Sequence, residues 1–435
     1  MKSYHHFIKD QQDSSNFYSY DSLLKNERMR FHLMQKILFI SDHGDPLIPL
    51  GSKQAGGQNN YVKHLALQLD ALGYSVDIVT HWSSEQKPAV EQLGERSKVY
   101  RFAGGQKGFV DKRQMFTLLP RLYEEMTETL DISSYDIVHT HYWLSGVLAY
   151  NLQKEYSFYW CHTNHSLAIA KEQGTGFIEN KRKHYERLIM EQADVVIATT
   201  PNEKQQIEVF TKKKSAVSVV PVGVSPEYLA SSEEVEQFAF PYYFYAGRLE
   251  TSKGIFDLLK AFRNMLENHG IPDNVKLLIA GGCPESVDIK NYSPKSEPLK
   301  EAIKGMEDRV LFLGPKNEKQ LKSLYTGALA TIMPSHYESF GMVAAEAQAC
   351  GCPVIATHVG GLKDVVKSGV TGLHIPKANV QKLSDSMAYF LKSSPKLLKM
   401  RRDAKQYAIK EFNWSLISRR VKELYERKNA YISLP

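Results

Sequence analysis

The chain has little cysteine: four residues in 435, Cys161, Cys283, Cys350 and Cys352. That is too few for a disulfide framework at this length and is in keeping with a reducing compartment. Cys350 and Cys352 stand two apart with no second pair at zinc spacing, so they read as small buried residues. No apolar run approaches the ~18 to 20 residues of a membrane span. The first 35 residues scatter His5, His6, Asp10, Asp13 and Glu27 among aromatics. They lack the continuous apolar core of a secretory signal, which predicts a cytoplasmic location. Repeats and low-complexity tracts are also missing. Hydrophobic content of 43% and charged content of 24% exclude a largely disordered, collagen-like or coiled-coil chain. At roughly 150 residues per domain the length leaves room for two large cores and excludes one small binding module.

What is present is a regular alternation. Residues 1–35 read as an aperiodic appendage or extra helix. From Lys36 on, buried-strand runs occur at KILFISDH (36–43), SVDIVTHW (75–82), VYRF (99–102), DIVHTHYW (136–143), YSFYWCHT (156–163), DVVIATT (194–200) and AVSVVPVGV (216–224). Helical stretches separate most of them, and one runs through Tyr61, Leu65, Leu69 and Leu72. Strands alternating with helices predict a parallel sheet covered on both faces. The acidic stretch SSEEVEQ (231–237) reads as a linker. The alternation then restarts with YYFYAGR (242–248), VKLLIAGG (275–282), RVLFLG (309–314), ALATIMPS (328–335) and CPVIATHVG (352–360). The expected architecture is α/β, with two Rossmann-like domains over 36–224 and 238–410. A final helix within 411–435, with no strand after it, should cross between them.

Ligands of open parallel sheets bind beyond the carboxyl ends of the strands, where helix N-termini favour anions. The stretch TIMPSHYESFGMVAAEAQACGCPVIATHVGG (331–361) reads as strand, loop, helix, strand at such an edge. Glu338 falls in its loop, and Gly341 allows close backbone approach. Glu346 lies in the first turns of a helix starting near Met342, its side chain tilted back toward the N-terminus. A carboxylate there suits a ribose diol. The formal net charge of +7 suits phosphate-bearing partners of any size.

Glu338 and Glu346 reproduce the E-x7-E spacing of the retaining glycosyltransferases of family GT4. AGRLETSKG (246–254) resembles that family's G-R-x5-K segment, and AGGQNNYV (55–62) its N-terminal Gly-Gly loop. The resemblance spans about residues 36–425. It implies the GT-B fold, with a UDP-sugar held mainly by the C-terminal domain. By that resemblance Arg248 and Lys253 hold the donor diphosphate and Glu346 the ribose. Glu338 and the backbone of Phe340, Gly341, Met342 and Val343 hold the sugar and position the diphosphate. Gly57 meets the diphosphate from the other domain. His165 corresponds to a sugar-contacting histidine, so His165, Arg248, Lys253 and Glu338 form the expected catalytic group. His139 and His141 read as orienting or structural groups.

HTHYWLSG (139–146) and HTNHSLA (162–168) resemble segments of the inositol-phosphate N-acetylglucosaminyltransferases of mycothiol synthesis and, more distantly, of the sucrose-phosphate synthases. In the former an acceptor phosphate is gripped by Lys, Tyr, Thr and Arg. This sequence offers Lys112, Tyr142, Ser166 in place of Thr, and Arg182. Arg182 would supply a planar fork, Lys112 a point charge and the hydroxyls neutral donors. Ser225 stands where the family commonly has Asp, which puts an interdomain contact in question.

The implied activity is transfer of a sugar, GlcNAc or glucose, from a UDP-sugar to a phosphorylated polyol or sugar such as an inositol phosphate. The competing readings are transfer of glucose to fructose 6-phosphate, a non-phosphorylated acceptor in natural-product or cell-envelope glycoside synthesis, and a catalytically silent sugar-nucleotide binder. No Asp-x-Asp motif sits in a strand-end loop, so no metal site and no cofactor are expected. Seven basic residues between Lys392 and Lys410 read as a solvated helical face or a weak anionic-membrane surface. No nucleic-acid partner is expected, and a homodimer is left open.

Overall fold

The computed structural model describes residues 35–48, 56–230, 238–391 and 395–427. The N-terminal appendage, the 231–237 linker and Ala55 of the Gly-Gly loop lie outside the described residues. The first half of the chain contributes β1 (Lys36–Ile40), α1 (Gly57–Ala71), β2 (Ser75–His81), β3 (Val90–Gln92), β4 (Lys98–Phe102), α2 (Lys112–Thr129), β5 (Ile137–His141), α3 (Trp143–Leu152), β6 (Tyr159–Thr163), α4 (Ala168–Thr175), α5 (Asn180–Gln192), β7 (Val195–Ala198), α6 (Pro201–Phe210) and β8 (Val217–Val219). The second contributes α7 (Pro226–Leu229), β9 (Tyr242–Ala246), α8 (Ile255–Asn268), β10 (Lys276–Ala280), β11 (Val287–Asp288), β12 (Ser293–Pro294), α9 (Glu297–Ile303), β13 (Val310–Gly314), α10 (Glu318–Gly327), β14 (Thr331–Met333), α11 (Met342–Ala349), β15 (Val354–Thr357), α12 (Leu362–Val365), β16 (Gly372–Ile375), α13 (Val380–Leu391), α14 (Pro395–Glu411) and α15 (Trp414–Glu426).

Each predicted strand run forms a strand, in most cases shorter than the run; AVSVVPVGV keeps only Val217–Val219. The first sheet has the order β3-β4-β2-β1-β5-β6-β7-β8 and is parallel except for the β3–β4 edge pair. The second, β13-β10-β9-β14-β15-β16, is parallel throughout. Both faces of the strands are buried, as parallel sheets require. In β1, Ile37 and Phe39 enter one core cluster while Leu38 and Ile40 enter another. The strand order reverses between β1 and β5 in one sheet and between β9 and β14 in the other. Those reversals open a crevice at the carboxyl ends of these four strands.

Two passes of the chain join the Rossmann-like domains, and they touch. Val224 donates to Phe412 O and bridges Asn413 in parallel. Gly223 is required beside them, since a Cβ there would stand 2.4 Å from the Trp414 ring. After the second pass α15 packs on α1 of the first domain, while α14 packs on α11 of the second. Trp414, Ile417, Val421, Leu424 and Tyr425 place α15 in the same core cluster as Phe39 and Phe244. The crossing helix expected from the tail is α15. The basic stretch before it is α14, which buries Leu397, Met400, Ala404 and Ala408.

Candidate active site

The C-terminal wall grows from the ends of β9 and β14. Beyond β9, the single 3-10 turn Thr251–Lys253 presents Lys253, whose Nζ lies 2.7 Å from Glu338 Oε2. Arg248, with its side chain 73% exposed, pairs with Glu250 at 2.8 Å. Gly341 adopts φ +107°, and a Cβ there would stand 2.6 Å from Leu362. This left-handed residue turns the chain directly into α11, whose first N–H groups, at Met342 and Val343, have no helical acceptor. Phe340 is turned inward against Phe412 at 5.7 Å. Glu346, one turn into α11, accepts from Tyr325 Oη at 3.0 Å. Burial pushes its carboxyl up to about 7, against the pull of that hydrogen bond.

Opposite this wall is the N-terminus of α1. Gly56 donates to Asn59 Oδ1, and a Cβ on Gly57 would stand 3.8 Å from the Met342 side chain. The starts of α1 and α11 therefore face one another across the cleft, a pairing suited to an anion held between two helix N-termini.

The N-terminal wall gathers the four acceptor candidates from separate segments. Tyr142 follows β5 with φ +78° and ψ 158°, a region almost reserved for glycine, and such strain clusters at functional sites. Its ring lies 5.5 Å from Lys112 Nζ and 4.8 Å from Arg182 Cζ. Lys112 opens α2 and stands open to the cleft with its ammonium between protein walls. That desolvation lowers its pKa; Asp42 offsets the effect and Arg182 and Arg248 add to it. Arg182 does not offer the free fork expected of it. It is 3% exposed, with Nε on Glu186 at 2.6 Å, Nη1 on Glu179 at 3.3 Å, and Nη2 on both Ser166 O and Ser166 Oγ. One N–H remains uncommitted. The Ser166 hydroxyl accepts from Arg182 and keeps its own proton to donate.

His165 ends the β6 side of this wall at φ +58°, packed edge-on against Tyr61 at 4.9 Å. Its Nε2 lies 3.1 Å from His141 Nδ1. Burial holds both imidazoles far below the usual histidine range, hence neutral. His139 bridges Tyr425 Oη and Thr163 Oγ1, an internal packing role.

Sequence reasoning missed His43. Its Nδ1 is 3.1 Å from Asp42 Oδ2, and the other oxygen of that carboxylate, Oδ1, accepts from Ser145 Oγ at 2.6 Å. Its ring meets Tyr142 edge-on at 4.7 Å, and its Nε2 is buried with no hydrogen-bond partner among the described residues. With Nδ1–H given to Asp42, Nε2 presents a lone pair beside Lys112 and Arg182. The signal was available: His43 closes the strand run KILFISDH at the ligand edge. Ser225, which stands where the family commonly has Asp, caps α7 by accepting from the Glu227 N–H and donates to Glu318 Oε2 at 2.9 Å. Among the described residues, no group of three or more His, Cys, Asp and Glu is placed to hold a metal ion. No helix among them is long and apolar enough to cross a membrane.

Comparison with known proteins bears on both walls. Residues 55–228 match the family described as Glycosyltransferase Family 4, and residues 232–411 match the glycosyl transferases group 1. The D-inositol 3-phosphate glycosyltransferase of Corynebacterium urealyticum is 33% identical over 410 residues, covering 90% of this chain and 95% of the relative. That of Thermobifida fusca is 32% identical over 78% of this chain and 81% of its own length. Among solved structures, sucrose-phosphate synthase from Thermosynechococcus elongatus superposes with a TM-score of 0.82 at 30% identity, over 91% of this chain and all of the other. Anabaena HepE, in complex with UDP and glucose, shares the fold at a TM-score of 0.67 and 18% identity, over 90% of this chain and 99% of its own.

Proposed function

The chain belongs to glycosyltransferase family 4, and from that premise we propose that it moves a sugar from a UDP-sugar to a phosphorylated polyol or sugar with retention of configuration. One observation carries the acceptor half: Lys112, Tyr142, Ser166, Arg182 and the unforeseen His43 converge on one cluster. It lies on the wall opposite Arg248, Lys253 and Glu338. The curated relatives are named for an inositol phosphate acceptor, which this cluster suits.

In this reading the diphosphate lies between the N-termini of α1 and α11, with Arg248 and Lys253 taking up charge as the nucleotide leaves. Lys253 then exchanges its contact with Glu338 for phosphate, freeing the carboxylate to accept from sugar hydroxyls. The acceptor hydroxyl attacks from the side of the departing diphosphate, which takes its proton. His43 Nε2 accepts from a neighbouring acceptor hydroxyl, and Lys112 and Ser166 face the phosphate. Arg182 acts chiefly by fixing Ser166. Closure of the domains limits hydrolysis of the donor. The low cysteine content supports a cytoplasmic setting.

The test is a screen of nucleotide sugars for thermal stabilisation, then for turnover with inositol phosphate, hexose phosphates and their dephosphorylated forms. The reading requires preference for a phosphorylated acceptor and, from an α-linked donor, an α-glycoside by anomeric proton coupling. Equal use of both acceptor forms, or a β product, overturns the corresponding half. Activity is expected to survive excess EDTA. The close superposition on a sucrose-phosphate synthase favours fructose 6-phosphate as the second acceptor to try.

A further inference from the structure

Beneath His165 lies a group that these roles leave unused. His141 ends β5 with no exposure to solvent, ringed by Phe39 at 4.9 Å, Tyr61 at 5.7 Å and His139 at 4.3 Å between ring centroids. Its Nδ1 meets His165 Nε2 at 3.1 Å, while its own Nε2 is buried and has no hydrogen-bond partner among the described residues. Two neutral imidazoles in such contact share one proton. Were that proton on His165, His141 would carry its own on Nε2, an orphaned donor among aromatic rings. Orphaned buried N–H groups are rarer than unused acceptor lone pairs. With the proton on His141 Nδ1, His165 accepts at Nε2 and carries its own proton on Nδ1. His139 does not compete, since both of its nitrogens are already bonded to Tyr425 and Thr163.

We propose that His141 is a positioning residue, donating from Nδ1 to His165 Nε2 and so fixing His165 as the tautomer that offers Nδ1–H to a sugar oxygen in the cleft. This rests on the reading of His165 as the sugar-contacting group. A neutral donor suits the reaction, because positive charge develops on the sugar and an imidazolium beside Lys112 would oppose it. The left-handed backbone at His165 holds the ring above its partner, and the hydrogen bond sets which nitrogen faces outward.

The test uses the full chain labelled with 15N-histidine and long-range proton–nitrogen correlation spectra, with His165→Asn identifying the His165 signals. Wild type should show His165 protonated on Nδ1. His141→Phe should average the two tautomers and lower kcat about 10-fold, the worth of one charge-free hydrogen bond, with UDP affinity unchanged. His141→Asn, whose amide takes the place of Nδ1–H, should restore the fixed tautomer and bring kcat to within about threefold of wild type. His141→Gln, whose amide falls nearer the Nε2 position, should not; it replaces His141→Phe if that variant fails to fold. A wild-type proton on His165 Nε2, or a tautomer indifferent to His141→Phe and His141→Gln, overturns the proposal. The spectra read the tautomer whether or not a sugar is transferred, so failure of the proposed activity registers separately in the acceptor screen.

Discussion

The two walls of the cleft are assembled in opposite ways. The C-terminal wall is nearly a single sentence of sequence: Glu338, Gly341, Met342 and Glu346 lie within nine residues, with Arg248 and Lys253 from one further turn. Apart from the desolvated Glu346, its charged groups are open, as Arg248 is, or paired across the loop, as Lys253 is with Glu338. The N-terminal wall draws His43, Lys112, Tyr142, Ser166 and Arg182 from five segments, and its polar groups run deep: His139, His141, His162 and Glu186 all have no exposure. A local motif can leave its ions in solvent because the backbone of one loop holds them. A site collected from distant segments has to be locked by buried polar contacts, so its binding residues are also structural.

That contrast can be broken by substitution. Replacing Arg182 by Met strands the buried Glu186, which binds both Arg182 and the N–H of Ala168. It should cost about 3 to 5 kcal/mol in chemical denaturation. Arg248→Ala, at an exposed site, should stay within about 0.5 kcal/mol of wild type. Comparable losses in the two would erase the distinction. For ligand the order reverses. Arg248→Ala and Lys253→Ala should each weaken UDP by roughly 1.5 to 3 kcal/mol, about 10- to 150-fold, read from the loss of UDP-induced thermal stabilisation. Unchanged stabilisation in both would remove the diphosphate from this wall.

Glu346 sharpens the picture by pH. Its folded pKa of about 7 exceeds the ordinary 4.5, so between those values the folded protein keeps a proton that the unfolded chain has lost. Its stabilising contribution is therefore full below about pH 4.5 and disappears as pH rises through 7. Glu346→Gln should gain about 2 kcal/mol relative to wild type at pH 8, after allowance for solvent screening, and nothing at pH 4.5. A constant difference in denaturation midpoint at both pH values would show that the carboxyl is not desolvated. The smallest effect is at Lys112, which makes no ion pair among the described residues. Lys112→Ala should reduce turnover of a phosphorylated acceptor about 10-fold, leaving the dephosphorylated acceptor and UDP affinity unchanged. Equal losses on both acceptors would take the phosphate away from this lysine.

The same contrast explains what the sequence disclosed. Both sheets were legible because parallel strands buried on two faces are continuous apolar runs, as KILFI and YYFYA are. The short edge strands β3 and β16 and the β11–β12 hairpin were not, since GLHI and VEQ carry too few apolar residues to register. The donor residues could be found from spacing alone. The engagement of Arg182 could not, because its partners Ser166 and Glu179 become meaningful only once α4 and α5 are folded together. The backbone strain at Tyr142 and His165 has no sequence signature either; both positions would ordinarily invite glycine or asparagine. His43 was overlooked for a simpler reason: a histidine beside an aspartate at a strand end is unremarkable until its free nitrogen is seen beside two cations.

The return of α15 to α1 has a consequence for the order in which the protein can be made. Trp414 stacks on His64 and meets Tyr61 edge-on, and Tyr425 supplies the hydrogen bond to His139. The first domain therefore lacks a wall of its own core until α15 leaves the ribosome, some 200 residues after its β-strands are complete. During that interval the underside of α1 and the His139 side of the sheet are exposed to solvent or to a chaperone, although N-terminal domains ordinarily fold first during synthesis. Truncation just beyond Glu411 would leave every residue of the two walls in place and still yield a chain whose acceptor half is unfinished.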